Sequence, residues 1–152
     1  MRPAALALVV AGALAVGCGS SSDEGDPADF VGVWTATGTV NTRCGMGAGN
    51  AGALDEVVTI TQGVGAPLLV VVGSCSLQMD MHGKMAVLRP GQMCTLMRGG
   101  GLSSTATYSS GDFSVTGIKA TFKLNAMFTV GEGALVLSCS YQASGDASKM
   151  AK

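Results

Sequence analysis

Between residues 31 and 143, apolar side chains recur at every second position, and glycines interrupt that pattern at short intervals. A period of two belongs to a strand with one buried face, whereas a helix needs a period near 3.6. The pattern is clearest from Cys75 to Met81, where Cys75, Leu77, Met79 and Met81 share one face and Ser76, Gln78 and Asp80 the other. From Val31 to Val40, Trp34 shares a face with Gly32, Ala36, Gly38 and Val40, small neighbours that leave room for an inward indole. Val58, Ile60 and Gln62 oppose Val57, Thr59 and Thr61, and Leu68 to Val72 is a short continuous apolar strand. The chain has 23 glycines and 4 prolines. Turns are expected at 63–67, His82-Gly83, Pro90-Gly91, Gly99 to Gly101, Gly111-Asp112 and Gly131 to Gly133. No helical stripe of useful length appears after the first 17 residues. About eight sequential antiparallel strands follow, so the expected fold is all-β, an up-and-down barrel, with a two-sheet β-sandwich as the alternative. Closure is favoured because it removes unpaired edges.

The amino terminus has a different character. Arg2 is the only charge before Asp23, and Ala4 to Val16 is apolar throughout. A basic start, a short apolar stretch and small residues before a break make a signal-peptide pattern. The stretch is 13 residues long, short of the roughly 20 a membrane-spanning helix needs. After it, Gly19 to Pro27 is small, polar and acidic, with little to bury, and reads as a flexible tether. The expected organisation is therefore 1–17 signal, 18–29 tether, 30–143 β domain and 144–152 polar tail. Removal of the signal leaves 135 residues with 8 basic and 10 acidic side chains, four of the acids lying in the tether. A nearly neutral domain argues against nucleic acid as a partner.

The string Leu14-Ala15-Val16-Gly17-Cys18 resembles a bacterial lipobox. The resemblance implies cleavage after Gly17 and acylation of Cys18, hence a lipid anchor in a bacterial cell envelope. Gly19 in place of an aspartate favours the outer membrane. One acyl chain binds membranes marginally, while two or more hold firmly. With Cys18 set aside, Cys44, Cys75, Cys94 and Cys139 remain, an even number in an exported chain and thus two expected disulfides. Three connectivities are open. The gaps of 31, 19 and 45 residues do not match the close paired spacing of a structural metal site.

Phe30-Val31-Gly32-Val33-Trp34 resembles the Gly-x-Trp opening of lipocalin and related calycin barrels. The resemblance implies that Trp34 closes the floor of the barrel. It also implies an arginine near the end of the last strand, packed over that tryptophan, and here the chain departs from the resemblance, because Ser138 to Gln142 holds none.

Catalytic groups are sparse. His82 is the single histidine, placed on an expected turn and without an acid pair. Asp55 and Glu56 adjoin on a strand and so point to opposite faces, unlike a glycosidase pair. Gly99 to Gly101 lacks the Lys and helix of a phosphate-binding loop. The chain is expected not to be an enzyme and to carry no cofactor. Met79, Met81, His82 and Met85 form the sharpest constellation, since thioethers and imidazole bind Cu(I). The competing role for Met79 and Met81 is core packing beside Leu77. Two functions lead: a non-catalytic barrel enclosing a small apolar ligand, with Phe113, Phe122 and Phe128 among its lining, or a structural lipoprotein that binds another envelope protein.

Overall fold

The computed structural model describes residues 25–97, 103–132 and 135–151. The signal, the lipobox and Cys18 lie outside the described residues, as do Gly99 to Gly101 and Gly133. Among the described residues, a short helix α1 (Pro27–Phe30) precedes nine strands: β1 (Gly32–Cys44), β2 (Asn50–Gln62), β3 (Leu68–Val72), β4 (Cys75–His82), β5 (Met85–Leu88), β6 (Gln92–Met97), β7 (Ser103–Thr116), β8 (Lys119–Glu132) and β9 (Leu135–Lys149). Every pairing is antiparallel. The order is β5-β4-β3-β2-β1-β9-β8-β7-β6, and β5 also pairs with β7. That last pairing closes an eight-stranded up-and-down barrel and leaves β6 as an extra strand, so the sandwich alternative is excluded.

The alternation places side chains as a strand must. Trp34, Ala36, Cys75, Leu77, Met79, Phe113, Ala126, Phe128 and Cys139 are buried on inward positions. Outward positions on β9, such as Ser138, Gln142, Ser144, Asp146 and Ser148, are exposed. Apolar-in and polar-out is the reverse of a membrane-spanning barrel, whose outer band must be apolar.

Five details correct the sequence reading. First, Gly111-Asp112 is not a turn: β7 runs unbroken from Ser103 to Thr116, with a register shift between Tyr108 and Ser110. Gly111 is there for close approach, since a Cβ would stand 2.9 Å from Leu124 Cδ1 and 3.1 Å from the Lys123 carbonyl oxygen. Second, β6 was not expected. It pairs with the first half of β7 while β5 pairs with the second half, so the two share one place in the wall. The gap beside β4 is bridged by a side chain: Gln78 N–H donates to Gln92 Oε1 at 2.6 Å, and Gln92 Nε2 donates to the Gln78 carbonyl at 2.9 Å. The Gln92 amide thereby stands in for a peptide unit of the ladder.

Third, β9 continues to Lys149, through most of the stretch expected to be a polar tail, because Ala143, Gly145 and Ala147 carry a small-residue inward face. Fourth, the end of the expected tether is helical. Asp26 caps α1 by accepting from Ala28 N–H at 2.9 Å, and Pro27 occupies the first turn, where its missing N–H costs nothing. The turn expected at His82-Gly83 is shifted by one residue. His82 ends β4 opposite Met85, and Gly83, at φ 60°, supplies the left-handed bend.

Gly38 of β1 and Gly145 of β9 face each other in register. A Cβ on Gly38 would lie 2.7 Å from Gly145 Cα, and one on Gly145 would lie 2.6 Å from Gly38 Cα. Neither position admits a side chain without parting the strands.

Candidate functional site: the cavity and its two ends

One end of the barrel is plugged. The Trp34 and Phe30 side chains are completely buried. Trp34 Nε1 donates to the Phe30 carbonyl at 2.8 Å, which satisfies the buried indole N–H. The edge of Phe113 meets the indole with ring centres 5.1 Å apart. Lys149 Nζ stands 5.4 Å from the ring centre and donates to the carbonyls of Ala28 and Asp29. Lys149 therefore holds α1 onto the plug while its charge rests over the indole. Lys149 is not the arginine of the Gly-x-Trp resemblance, but it packs over the indole from the end of β9. It lies beyond Ser138 to Gln142, because the last strand is longer than the sequence pattern indicated.

Above the plug lies a cavity of about 710 Å³. Its wall includes Val58, Val70, Leu77, Met79, Leu124 and Val130, together with Phe113, Phe122 and Phe128, the three aromatic residues expected there. Trp34, Ile60 and Leu68 lie below it. The cavity reaches the strand ends opposite the plug, where Cys44, Cys75 and Cys139 also line it. Both disulfides sit at that end. Cys44 bonds Cys139, its register partner across β1 and β9, and Cys75 bonds Cys94, tying β4 to β6. The choice among three connectivities follows from register, which the spacing alone did not hold.

The wall is uneven in height. β3 pairs with β2 only from Val58 to Gln62, so Asn50 to Val57 extends past the end of β3 without a neighbour on that side. The cavity is open along this step. Glu56 stands on the inward face of β2 two residues beyond the last β3 pair, and it lines the cavity. Tyr108 on β7 and Tyr141 on β9 flank Ala126 of β8 in one register row, and both line the cavity. Burial pushes both phenols above their ordinary pKa, and Tyr141 is pushed further by the negative charge of Glu56 and by Tyr108. These three polar residues were not singled out in the sequence. The available signal was parity: Glu56 shares a face with Val58 and Ile60, and Tyr141 shares one with Cys139 and Ala143.

The methionine constellation does not converge. Met79 is buried and Met81 packs against the same core, while His82 and Met85 are exposed. Adjacent strand residues point to opposite faces, so the sheet separates the two pairs. Asp80, on the outer face, accepts a bidentate contact from Arg89 at 2.8 and 2.7 Å. The Arg89 guanidinium holds the Asp80 carboxyl below its usual range. Arg89 also donates to the Gly65 carbonyl and to Gln78 Oε1, which fastens the 63–67 turn to β4.

Compared with family models, curated proteins and solved structures, the chain matches none.

Proposed function

We propose that this protein is a non-catalytic binding barrel of the bacterial envelope, anchored by lipid on Cys18, that encloses one small apolar ligand. The observation that carries the reading is the cavity of about 710 Å³ with aliphatic and aromatic walls. Ligand pockets run from about 300 to 1,000 Å³ and bury most of their ligand's surface. An eight-stranded barrel is the size that either fills with side chains or holds one small ligand, and small inward residues such as Ala36, Ala106 and Ala126 leave this one unfilled. The Gly32-Val33-Trp34 opening and the Lys149 contact support a calycin-like relationship. The lipobox-like string before Cys18 and the acidic serine stretch after it support the anchor and an outer-membrane location.

Native mass spectrometry of the full chain extracted from membranes tests the binding reading. A bound small lipid released on activation is the expected result. An empty protein that also fails to displace an apolar fluorescent probe would overturn it. The anchor has its own test: Cys18→Ser should abolish fatty-acid labelling, and persistent labelling would misplace the lipid.

A further inference from the structure

The cavity wall is mostly apolar, with Thr42, Asn50, Glu56, Tyr108 and Tyr141 as its inward polar residues and Glu56 the one charged among them. Glu56 lines the cavity with an exposed side chain, and its carboxylate has neither an ion pair nor a hydrogen bond among the described residues. Tyr108 and Tyr141 line it as well, and neither phenol hydroxyl has a hydrogen-bond partner among the described residues. Ligand pockets are mostly apolar with a few polar groups that fix orientation, so a carboxylate and two phenols lining one apolar cavity mark where a ligand's polar end belongs. Two other charged residues border the cavity, Asp112 and Lys123. They occupy outward positions and are register partners across β7 and β8. Glu56 has no such counterpart.

We propose that the cavity takes an amphiphile whose polar end is a protonated amine, held by the Glu56 carboxylate in the cavity that Tyr108 and Tyr141 also line, with its apolar chain against Leu77, Leu124 and Phe128. This deepens the ligand-binding reading and rests on it. An ammonium group donates charge-assisted hydrogen bonds to a carboxylate and is drawn to the faces of phenol rings. Both phenols are neutral near pH 7, so they can accept from the amine or donate to Glu56. A fatty acid would bring a second carboxylate to Glu56, and like charges there cost affinity. A neutral alcohol can use the hydroxyls but gains nothing from the charge.

The test compares three probes that differ only in the polar end: octylamine, octanol and octanoate. The full chain is carried in lipid nanodiscs, with empty nanodiscs as the blank, and each probe is titrated calorimetrically. A hydrogen bond to a charged group contributes about 1.5–3 kcal/mol, so octylamine should bind at least about tenfold more tightly than octanol, with octanoate weakest. Glu56→Gln should remove that preference, and a far-ultraviolet circular dichroism spectrum matching the parent chain shows that the variant is folded. Equal binding of all three probes, or an unchanged preference in Glu56→Gln, overturns the amine assignment and leaves the ligand-binding reading standing. Failure of every probe to bind, together with an empty protein from membranes, overturns both.

Discussion

Replacing Trp34 tests how far the closed end of the barrel depends on one side chain. The indole is fully buried, and its N–H is used on the Phe30 carbonyl. Trp34→Phe keeps an aromatic ring but removes that donor and part of the ring. The lost hydrogen bond alone is a net effect of about 1 kcal/mol, and the unpartnered Phe30 carbonyl adds to it. Trp34→Ala removes the whole plug. Truncating a buried tryptophan costs about 3–5 kcal/mol, and the edge contact with Phe113 disappears with it. A domain stability of about 5–15 kcal/mol makes that a large fraction of the total. Because Trp34 is the only tryptophan, unfolding in urea should be followed by far-ultraviolet circular dichroism instead of fluorescence. Hydrogen exchange at the Val31 amide, which donates to the Pro27 carbonyl at 3.0 Å, reports α1 separately. Expected is a graded loss, Phe smaller than Ala, with Val31 protection falling in the alanine variant. A loss under about 1 kcal/mol for Trp34→Ala would refute the plug, because that is less than the ordinary cost of a buried tryptophan.

Gly38→Ala and Gly145→Ala should each destabilise by about 1–3 kcal/mol or more through overpacking between β1 and β9, whereas Gly52→Ala, with open space around its Cβ, should be nearly neutral in the same urea melts. Removing the Cys44–Cys139 bond by double alanine substitution opens a separation of 95 residues and should cost about 4.7 kcal/mol, against about 3 for Cys75–Cys94 with its separation of 19. The reverse order in matched melts would show that chain entropy does not govern these bonds. Alkaline titration has a definite sign. The folded phenols of Tyr108 and Tyr141 hold their protons above the ordinary pKa of 10.0, so between that value and their folded pKa the unfolded chain binds fewer protons and stability falls as pH rises. Urea midpoints should drop above about pH 10, and Tyr108→Phe with Tyr141→Phe should flatten the decline.

Strand character was legible because it rests on local alternation. Cys75 to Met81 and Val31 to Val40 carry enough large apolar side chains on one face to identify the inside. The alternation thins out where the inward residue is small. Ala143, Gly145 and Ala147 give little apolar signal, and the flanking serines look like a tail, so the end of β9 and Lys149 were missed. Gly111 misled for a related reason: a glycine needed for close packing is indistinguishable in sequence from one needed for a turn. β6 depends on a long-range device, the Gln92 amide inserted beside β4 across 14 residues of sequence, and no local pattern announces it. The cavity is harder still to read. Its volume depends on how many small residues face inward at once, and its mouth depends on β3 being shorter than β2.

The two ends of the barrel also fix a direction. The chain enters through Gly25 and α1 at the plugged end, and Gly25 touches the turn at Gly83. With the anchor proposed at Cys18, seven residues separate the lipid from Gly25, a reach of about 25 Å at full extension. The thirteen residues of β1 run away from that point toward Cys44 at roughly 3.3 Å each, a path of about 43 Å along the strand. A lipid on Cys18 therefore keeps the Trp34 plug toward the membrane and the disulfide-bearing end away from it. The step beside Glu56 opens toward that distal end, so a ligand of the proposed kind would exchange with the aqueous compartment and not directly with the bilayer of the proposed anchor. An amine-bearing amphiphile would be soluble enough to arrive by that route, and the plugged floor would keep that bilayer from filling the cavity first.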